Sequence, residues 1–442
     1  MFKRKIEEKF LEWKMMEDHK PLVVKGVRQC GKTFSVLSFA RENYKHVVYF
    51  DFRAHPEYES FFLPNLDVSS IVMRMSALKP GFQAVAHETC FIFDELQDCP
   101  AARSSLKYFA LDGRYDVICT GSLLGVNGYR KDIEDVWSIP VGYEHIIDMY
   151  PMDFEEWLWA NGIEKIHFDY LQRCLNELTP VEPAIHFRMR QLLNEYVIAG
   201  GMPEAVKTFL KERNVGQLLA VQRRIVEQYR SDMVKYAPDV DKPRIRECFN
   251  SIPAQLAKEY KKFTYSSVSK GGRGRDYAGS LQWIEDAGII RRCYNLQITE
   301  LPLDGNSKRD EFKVYMGDVG LLTSMLEKGV QSDIIQGNMY GYKGAIYENL
   351  VADILGKSDR KLYYYHKDGG IELDFVVRQN NECMPIECKA TTGNAKSLKT
   401  ILGNPDKYHV EHAVKVGDYN IGLSGGLLTL PTYMLGMWLE KY

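Results

Sequence analysis

The stretch Gly26-Val27-Arg28-Gln29-Cys30-Gly31-Lys32-Thr33 constrains this 442-residue chain more than any other. It fits G-x-x-x-x-G-K-[ST] at every position, follows a short apolar run from Pro21 to Lys25, and opens a helical pattern from Thr33 to Asn43. Phosphate binding needs that context. Glycines let backbone N–H groups wrap an anion, and the helix N-terminus adds partial positive charge. Lys32 is placed to reach the β- and γ-phosphates of a nucleotide, and the Thr33 hydroxyl to ligate magnesium. Gly26, Val27, Arg28, Gln29, Cys30, Gly31, Lys32, Thr33 and Phe34 are the expected nucleotide contacts. A chance glycine turn before a helix is the bland alternative, and the flanking strand and helix argue against it.

A second piece lies downstream, where Cys90-Phe91-Ile92-Phe93-Asp94-Glu95 reads as an apolar strand ending in two acids. Open α/β sheets bind ligands at the carboxyl ends of their strands, so Asp94 suits a magnesium partner. Glu95 would activate water as a general base. The next strand ends in Cys119-Thr120-Gly121-Ser122, where a small hydroxyl such as Ser122 would sense the γ-phosphate. A plain turn capping the next helix accounts for that segment equally well.

The strands His46 to Phe52, Thr89 to Phe93 and Asp116 to Thr120 are nearly continuous in hydrophobicity, as when helices cover both faces of a parallel sheet. The expected fold is therefore α/β, a parallel-sheet core over 1–150. A helical segment is expected over 151–245, a winged-helix-like unit over 246–335 and a small α/β domain over 336–442. A net charge of −2 rules out a polycation that coats nucleic acid, so such binding needs a local basic patch. The nine cysteines lack zinc-site spacing, and their odd number argues against a disulfide framework; a reducing cytoplasm fits best. No apolar run is long enough to span a bilayer.

Together these phrases resemble the bacterial and archaeal AAA+-type ATPases that carry a C-terminal domain of unknown function. Further matches are Tyr150-Pro151-Met152-Asp153-Phe154-Glu155-Glu156, Phe93-Asp94-Glu95-Leu96-Gln97 and Gly200-Gly201-Met202-Pro203-Glu204. The resemblance implies ATP as the nucleotide, magnesium as its metal, and assembly into homo-oligomers as some relatives do. It also implies a nuclease-like tail. One departure is Gly142-Tyr143-Glu144-His145, where such proteins often carry a Gly-Arg pair. Arg130 and Arg230 remain candidates for an arginine finger.

The tail holds a second constellation. Glu348 lies in a helical run, Asp374 in the strand Ile371 to Val377, and Glu387 and Lys389 on one face of a strand beginning at Pro385. A two-residue turn at Asn380-Asn381 would set Asp374 across from Glu387. Opposed carboxylates repel unless a cation lies between them. The arrangement resembles the PD-(D/E)XK nucleases, which implies Glu348, Asp374 and Glu387 around magnesium and Lys389 as the catalytic lysine. A salt-bridged strand face, or the same fold without activity, is the other reading.

Between core and tail, Ser251 to Tyr260, Ser266 to Ser269 and Arg275 to Ala287 read as three short helices before a hairpin, an order that resembles a winged helix. Lys258, Lys261, Lys262, Lys270, Arg273 and Arg275 concentrate positive charge there, for DNA phosphates or as a solvated face. The leading expectation is an ATP-dependent enzyme whose nucleotide state controls a DNA-directed module. The competing one is an ATP-driven switch acting on a protein partner.

Overall fold

Leu22–Gly26 (β1) alternates its side chains between two apolar layers, Val23 into one and Leu22 and Val24 into the other. The same division runs through Thr89–Asp94 (β3), where Phe91 and Phe93 face one layer and Cys90 and Ile92 the opposite one. Strands covered on both faces have no polar side, which is why they read as unbroken apolar runs. The computed structural model describes residues 2–79, 81–82, 84–122, 140–236, 241–258, 261–336, 342–367, 370–389 and 395–441. They divide into two compact units, Met1–Tyr150 and Pro151–Tyr442.

In the first unit, helix α1 (Ile6–Met15) precedes β1, and α2 (Lys32–Asn43) leads to β2 (His46–Asp51). Then come α3 (Val68–Leu78), β3, α4 (Pro100–Asp112), β4 (Asp116–Ser122) and β5 (His145–Met149). The sheet order is β2-β3-β4-β1-β5, and every pairing is parallel. Thus β4 is inserted between β1 and β3, so the phosphate loop and the acidic end of β3 flank the end of β4. One layer is dominated by Phe50, Phe52, Phe61, Phe62, Phe91 and Phe93. Each such ring taken from water contributes roughly 1.5–3 kcal/mol.

The second unit opens with α5 (Phe154–Ala160), α6 (Lys165–Glu177), α7 (Pro183–Ala199), α8 (Pro203–Glu212) and α9 (Val215–Tyr236). Asp153 accepts from the Glu156 N–H at 2.8 Å and Glu156 accepts from the Asp153 N–H at 3.1 Å, a capping box that starts α5. The break between α7 and α8 is a tight crossing. The Met152 N–H bonds to the Gly201 carbonyl at 2.7 Å, and the Gly201 N–H to Asp318 at 2.7 Å, leaving no room for a side chain on Gly201.

Next follow α10 (Lys242–Leu256), α11 (Gly274–Asp286), β6 (Ile290–Leu296), β7 (Ser307–Met316), α12 (Val319–Ser324), α13 (Val330–Ile335) and α14 (Lys343–Lys357). The remainder is β8 (Leu362–Lys367), β9 (Ile371–Gln379), β10 (Glu382–Lys389), α15 (Lys396–Leu402), α16 (Pro405–Tyr408), β11 (Ala413–Gly417), β12 (Gly422–Ser424), β13 (Leu427–Pro431) and α17 (Leu435–Glu440). These strands form one mixed sheet of order β12-β13-β11-β10-β9-β8-β6-β7. The β6–β7 hairpin joins this sheet through β6, which pairs in parallel with β8, Cys293 opposite Leu362. The last of the three expected short helices is α11, while Tyr265–Ser267 forms only a single 3-10 turn.

Under this sheet lies a buried ionic cluster. Lys357 donates to Asp353 at 2.9 Å, to the Tyr196 hydroxyl at 2.9 Å and to the Met152 carbonyl at 3.1 Å, and stands 3.7 Å from Asp318. All nine cysteines are free thiols, eight of them buried, where they pack as small apolar side chains. Among the described residues, no helix is long and apolar enough to cross a membrane.

Candidate functional site

The phosphate-loop motif turns on two special backbone positions. Gly26 runs so close to the Met149 carbonyl of the neighbouring strand that a Cβ would collide with it. Gly31, the residue before α2, takes φ 100°, which glycine adopts without a side-chain clash. Gln29 also has positive φ, at 65°. Such alternation lets backbone N–H groups form an anion-binding nest. The buried Lys32 ammonium donates to the carbonyls of Gly26 and Val27, at 3.0 and 2.9 Å. Phe34 stands exposed on the first turn of α2.

Asp94, at the carboxyl end of β3, is 4% exposed and gathers three hydroxyls. Thr33 Oγ1 lies 2.9 and 3.1 Å from its two oxygens, Tyr49 donates from β2 at 2.7 Å, and Thr120 donates from β4. Burial, then the bond to Asp94, pushes the Tyr49 phenol well above its ordinary range, so it stays a donor. Ser122 sits opposite Gly26 in the sheet. Thr120, two residues earlier on the same strand, is the β4 hydroxyl that meets Asp94. Glu95 follows with φ 56°, and its carboxylate meets Arg53 Nη2 at 2.8 Å and the Gln97 amide. Arg53 also holds Asp98 at 2.9 Å.

Arg4, three residues from the chain's start and 6% exposed, reaches into the loop from outside the motif. It donates to the Cys30 carbonyl at 2.9 Å and to the Tyr150 carbonyl at 2.7 Å. By fixing one carbonyl of the loop, the guanidinium fixes the direction of the N–H that follows it. Charge-assisted bonds contribute roughly 1.5–3 kcal/mol each. Arg4→Ala is therefore expected to weaken ATP binding about tenfold, with Arg4→Lys intermediate, in titrations with a fluorescent ATP analogue. Unchanged affinity in a folded Arg4→Ala protein would mean that the loop holds its own shape.

The tail residues come together from several elements. Asn380 and Asn381 take φ 47° and 64° at the β9–β10 turn. The register pairs Ile386 with Phe375, so Glu387 and Asp374 are the next positions out. Asp374 accepts from the Cys388 N–H at 2.8 Å, and Lys389 donates to Glu387 at 2.5 Å. Glu348 on α14 is bound by Lys261 and by the Tyr315 hydroxyl at 3.1 Å. Lys313 on β7, absent from the sequence expectation, lies 2.8 Å from Glu372 and 3.9 Å from Glu348.

Electrostatics divides these acids. Against the cost of burial, Lys313 and Lys261 hold the Glu348 carboxyl below its usual range. Burial, then Glu348 and Glu387, push Asp374 well above the ordinary carboxylate range, so it keeps a proton near neutrality. Burial likewise raises Glu387, and its Oε2 is buried without a hydrogen-bond partner. Among the described residues, no three acidic, histidine or cysteine side chains converge as a metal cluster does.

The basic stretch is largely paired. Lys258 donates to Ser267 at 2.6 Å, Lys262 meets Glu311 at 3.4 Å, Lys261 is turned into the tail cluster, and Arg275 stands 3.8 Å from Asp276. Lys270 and Arg273 are exposed. Arg230 binds Asn250 at 2.9 Å within the second unit. Arg130 lies outside the described residues.

Residues 18–158 match the AAA domain, 190–332 a domain of unknown function (DUF8612), and 343–433 another, DUF4143. The first of these matches spans the phosphate loop and all five strands of the β2-β3-β4-β1-β5 sheet. No curated protein matches the chain significantly. Among solved structures, a Walker-type ATPase of Pyrococcus abyssi aligns at 13% identity and TM-score 0.42, covering 74% of this chain and 96% of that one. A protein from Vibrio cholerae aligns at 11% identity and TM-score 0.18, covering 95% of this chain and 96% of its own.

Proposed function

We propose that this protein binds ATP with magnesium in its first unit, hydrolyses it, and passes the nucleotide state to its second unit. The observation that carries the reading is the bond between Thr33 and Asp94, 2.9 Å, which joins the phosphate loop to the acidic end of β3. A hydroxyl and a carboxylate so close are the hard oxygen donors that magnesium takes. Magnesium there would neutralise charge on the β- and γ-phosphates. Lys32 would leave the loop carbonyls for the phosphates, Tyr49 and Thr120 would keep Asp94 oriented, and Glu95 would take the proton of the attacking water.

Phosphate release from ATP tests this on the full chain. Turnover is expected to need magnesium and to fall by about 100-fold or more in Lys32→Ala, the scale of losing one electrostatic contact to a transferring group. Turnover that Lys32→Ala leaves intact would overturn the reading.

For the second unit we favour a module through which nucleotide state acts on a protein partner. Three lysines already set against the tail carboxylates support that over metal-dependent cleavage of DNA. Incubating supercoiled and branched DNA with magnesium, with and without ATP, separates the two. Cleavage by the wild type that Lys389→Ala abolishes would establish a nuclease instead.

A further inference from the structure

The tail cluster brings four carboxylates, Glu348, Glu372, Asp374 and Glu387, together with three ammonium groups, Lys261, Lys313 and Lys389. Three ammonium groups set among these carboxylates already cancel most of the field that would draw a divalent ion. Lys313 matters most. Its side chain is 2% exposed, the most deeply buried ammonium of the three, and its charge sits 2.8 Å from Glu372 and 3.9 Å from Glu348. The Tyr364 ring closes over it, 4.9 Å from the ammonium.

Magnesium and manganese demand several oxygen ligands near 2.1 Å in octahedral array. Here one Glu348 oxygen is taken by Lys261 and the other by Tyr315, Asp374 is bonded to the Cys388 N–H, and Glu387 is bonded to Lys389. The one buried oxygen without a partner in this group, Glu387 Oε2, is a single ligand and not a cage. The donor set does not fit the metal that a nuclease-like tail implies.

We infer that Lys313 is a built-in cation that takes the place of a divalent metal, so that the tail cluster excludes magnesium and manganese. The ammonium cannot be lost by chelation, so the cluster keeps one charge state whatever the metal supply. Lys313 comes from the segment matched as DUF8612 and Glu348, Glu372, Asp374 and Glu387 from the one matched as DUF4143, so the lysine also ties the two segments together. This deepens the reading of the tail as a module that does not cleave DNA, and cation binding tests it without any DNA present.

The experiment counts bound Mn2+ by electron paramagnetic resonance in the nucleotide-free full chain. Asp94→Ala is present throughout, so that the first unit contributes no site. The chain with Lys313 is expected to bind no Mn2+ up to about millimolar, the weak end of oxygen-ligand sites. Lys313→Gln should bind one, at least tenfold more tightly, and Lys313→Arg, which keeps the charge, none. Should Lys313→Gln fail to fold, Lys261→Gln at the rim of the cluster reads the same exclusion and should also gain affinity. Mn2+ bound by the chain with Lys313 and lost in Glu387→Gln would overturn the inference. So would folded Lys313→Gln, or in its stead Lys261→Gln, gaining no affinity. DNA cleavage by the wild type would overturn the reading of the module; Mn2+ counts judge the lysine alone.

Discussion

Glu95→Gln is expected to slow ATP hydrolysis by roughly 10²–10⁴-fold, the usual contribution of a positioned general base, while leaving ATP affinity nearly unchanged. Glutamine keeps the length and one oxygen of the side chain but cannot accept a proton. Asp94 and the phosphate loop, which make the expected contacts to MgATP, are untouched. The left-handed backbone at Glu95, φ 56°, carries its carboxylate out of the line of β3 toward Arg53 and Gln97. Single-turnover phosphate release and nucleotide titration, run side by side, separate the two effects. A variant that binds ATP poorly yet turns over at the normal maximal rate would make Glu95 a structural partner of Arg53 and remove it from the chemistry.

The second large effect concerns stability. Lys357→Met should destabilise the second unit by about 3–5 kcal/mol, because Asp353 would lose the cation that faces it in a buried site. Asp353 also gives this cluster a pH dependence. Burial, against the pull of Lys357, pushes its carboxyl from 3.8 to about 6. The folded chain then holds that proton more tightly than the unfolded chain does. Stability from this group is fully present below the unfolded value of 3.8 and is lost as pH rises through about 6. Urea midpoints from pH 4 to 7 should fall less steeply in Asp353→Asn than in the wild type. Parallel slopes would mean that Asp353 stays ionised in the fold.

How much of this could be read from the sequence depends on how local each feature is. The phosphate loop is legible because it is set by consecutive residues, with glycine where φ reaches 100°. Asp94 is legible because an apolar strand stops at it. The partners of Asp94 are less so. Tyr49 is 45 residues away and Thr33 61, and an aromatic residue on an apolar strand reads as core until the sheet order brings β2 beside β3. Arg4 looks like one basic residue in a charged amphipathic segment, and its carbonyl partners carry no side-chain signature. β5 carries little sequence signal, because His145–Met149 is short and only partly buried. In the tail, Asp374 and Glu387 lie on one hairpin and follow from strand alternation and the two asparagines. Lys313 lies three strands from β9 in the sheet order, and no local pattern predicts that β7 belongs there.

The parallel pairing of β6 with β8, Cys293 opposite Leu362 through Leu296 opposite Tyr365, bears on how such a chain can be inherited. The two strands fall on opposite sides of the joint between the segments 190–332 and 343–433. A recombination event at that joint would separate strands that share a ladder and leave each piece with a raw, hydrogen-bonding edge, the kind that recruits foreign strands. Either segment taken without the other would expose a strand that is paired in this chain.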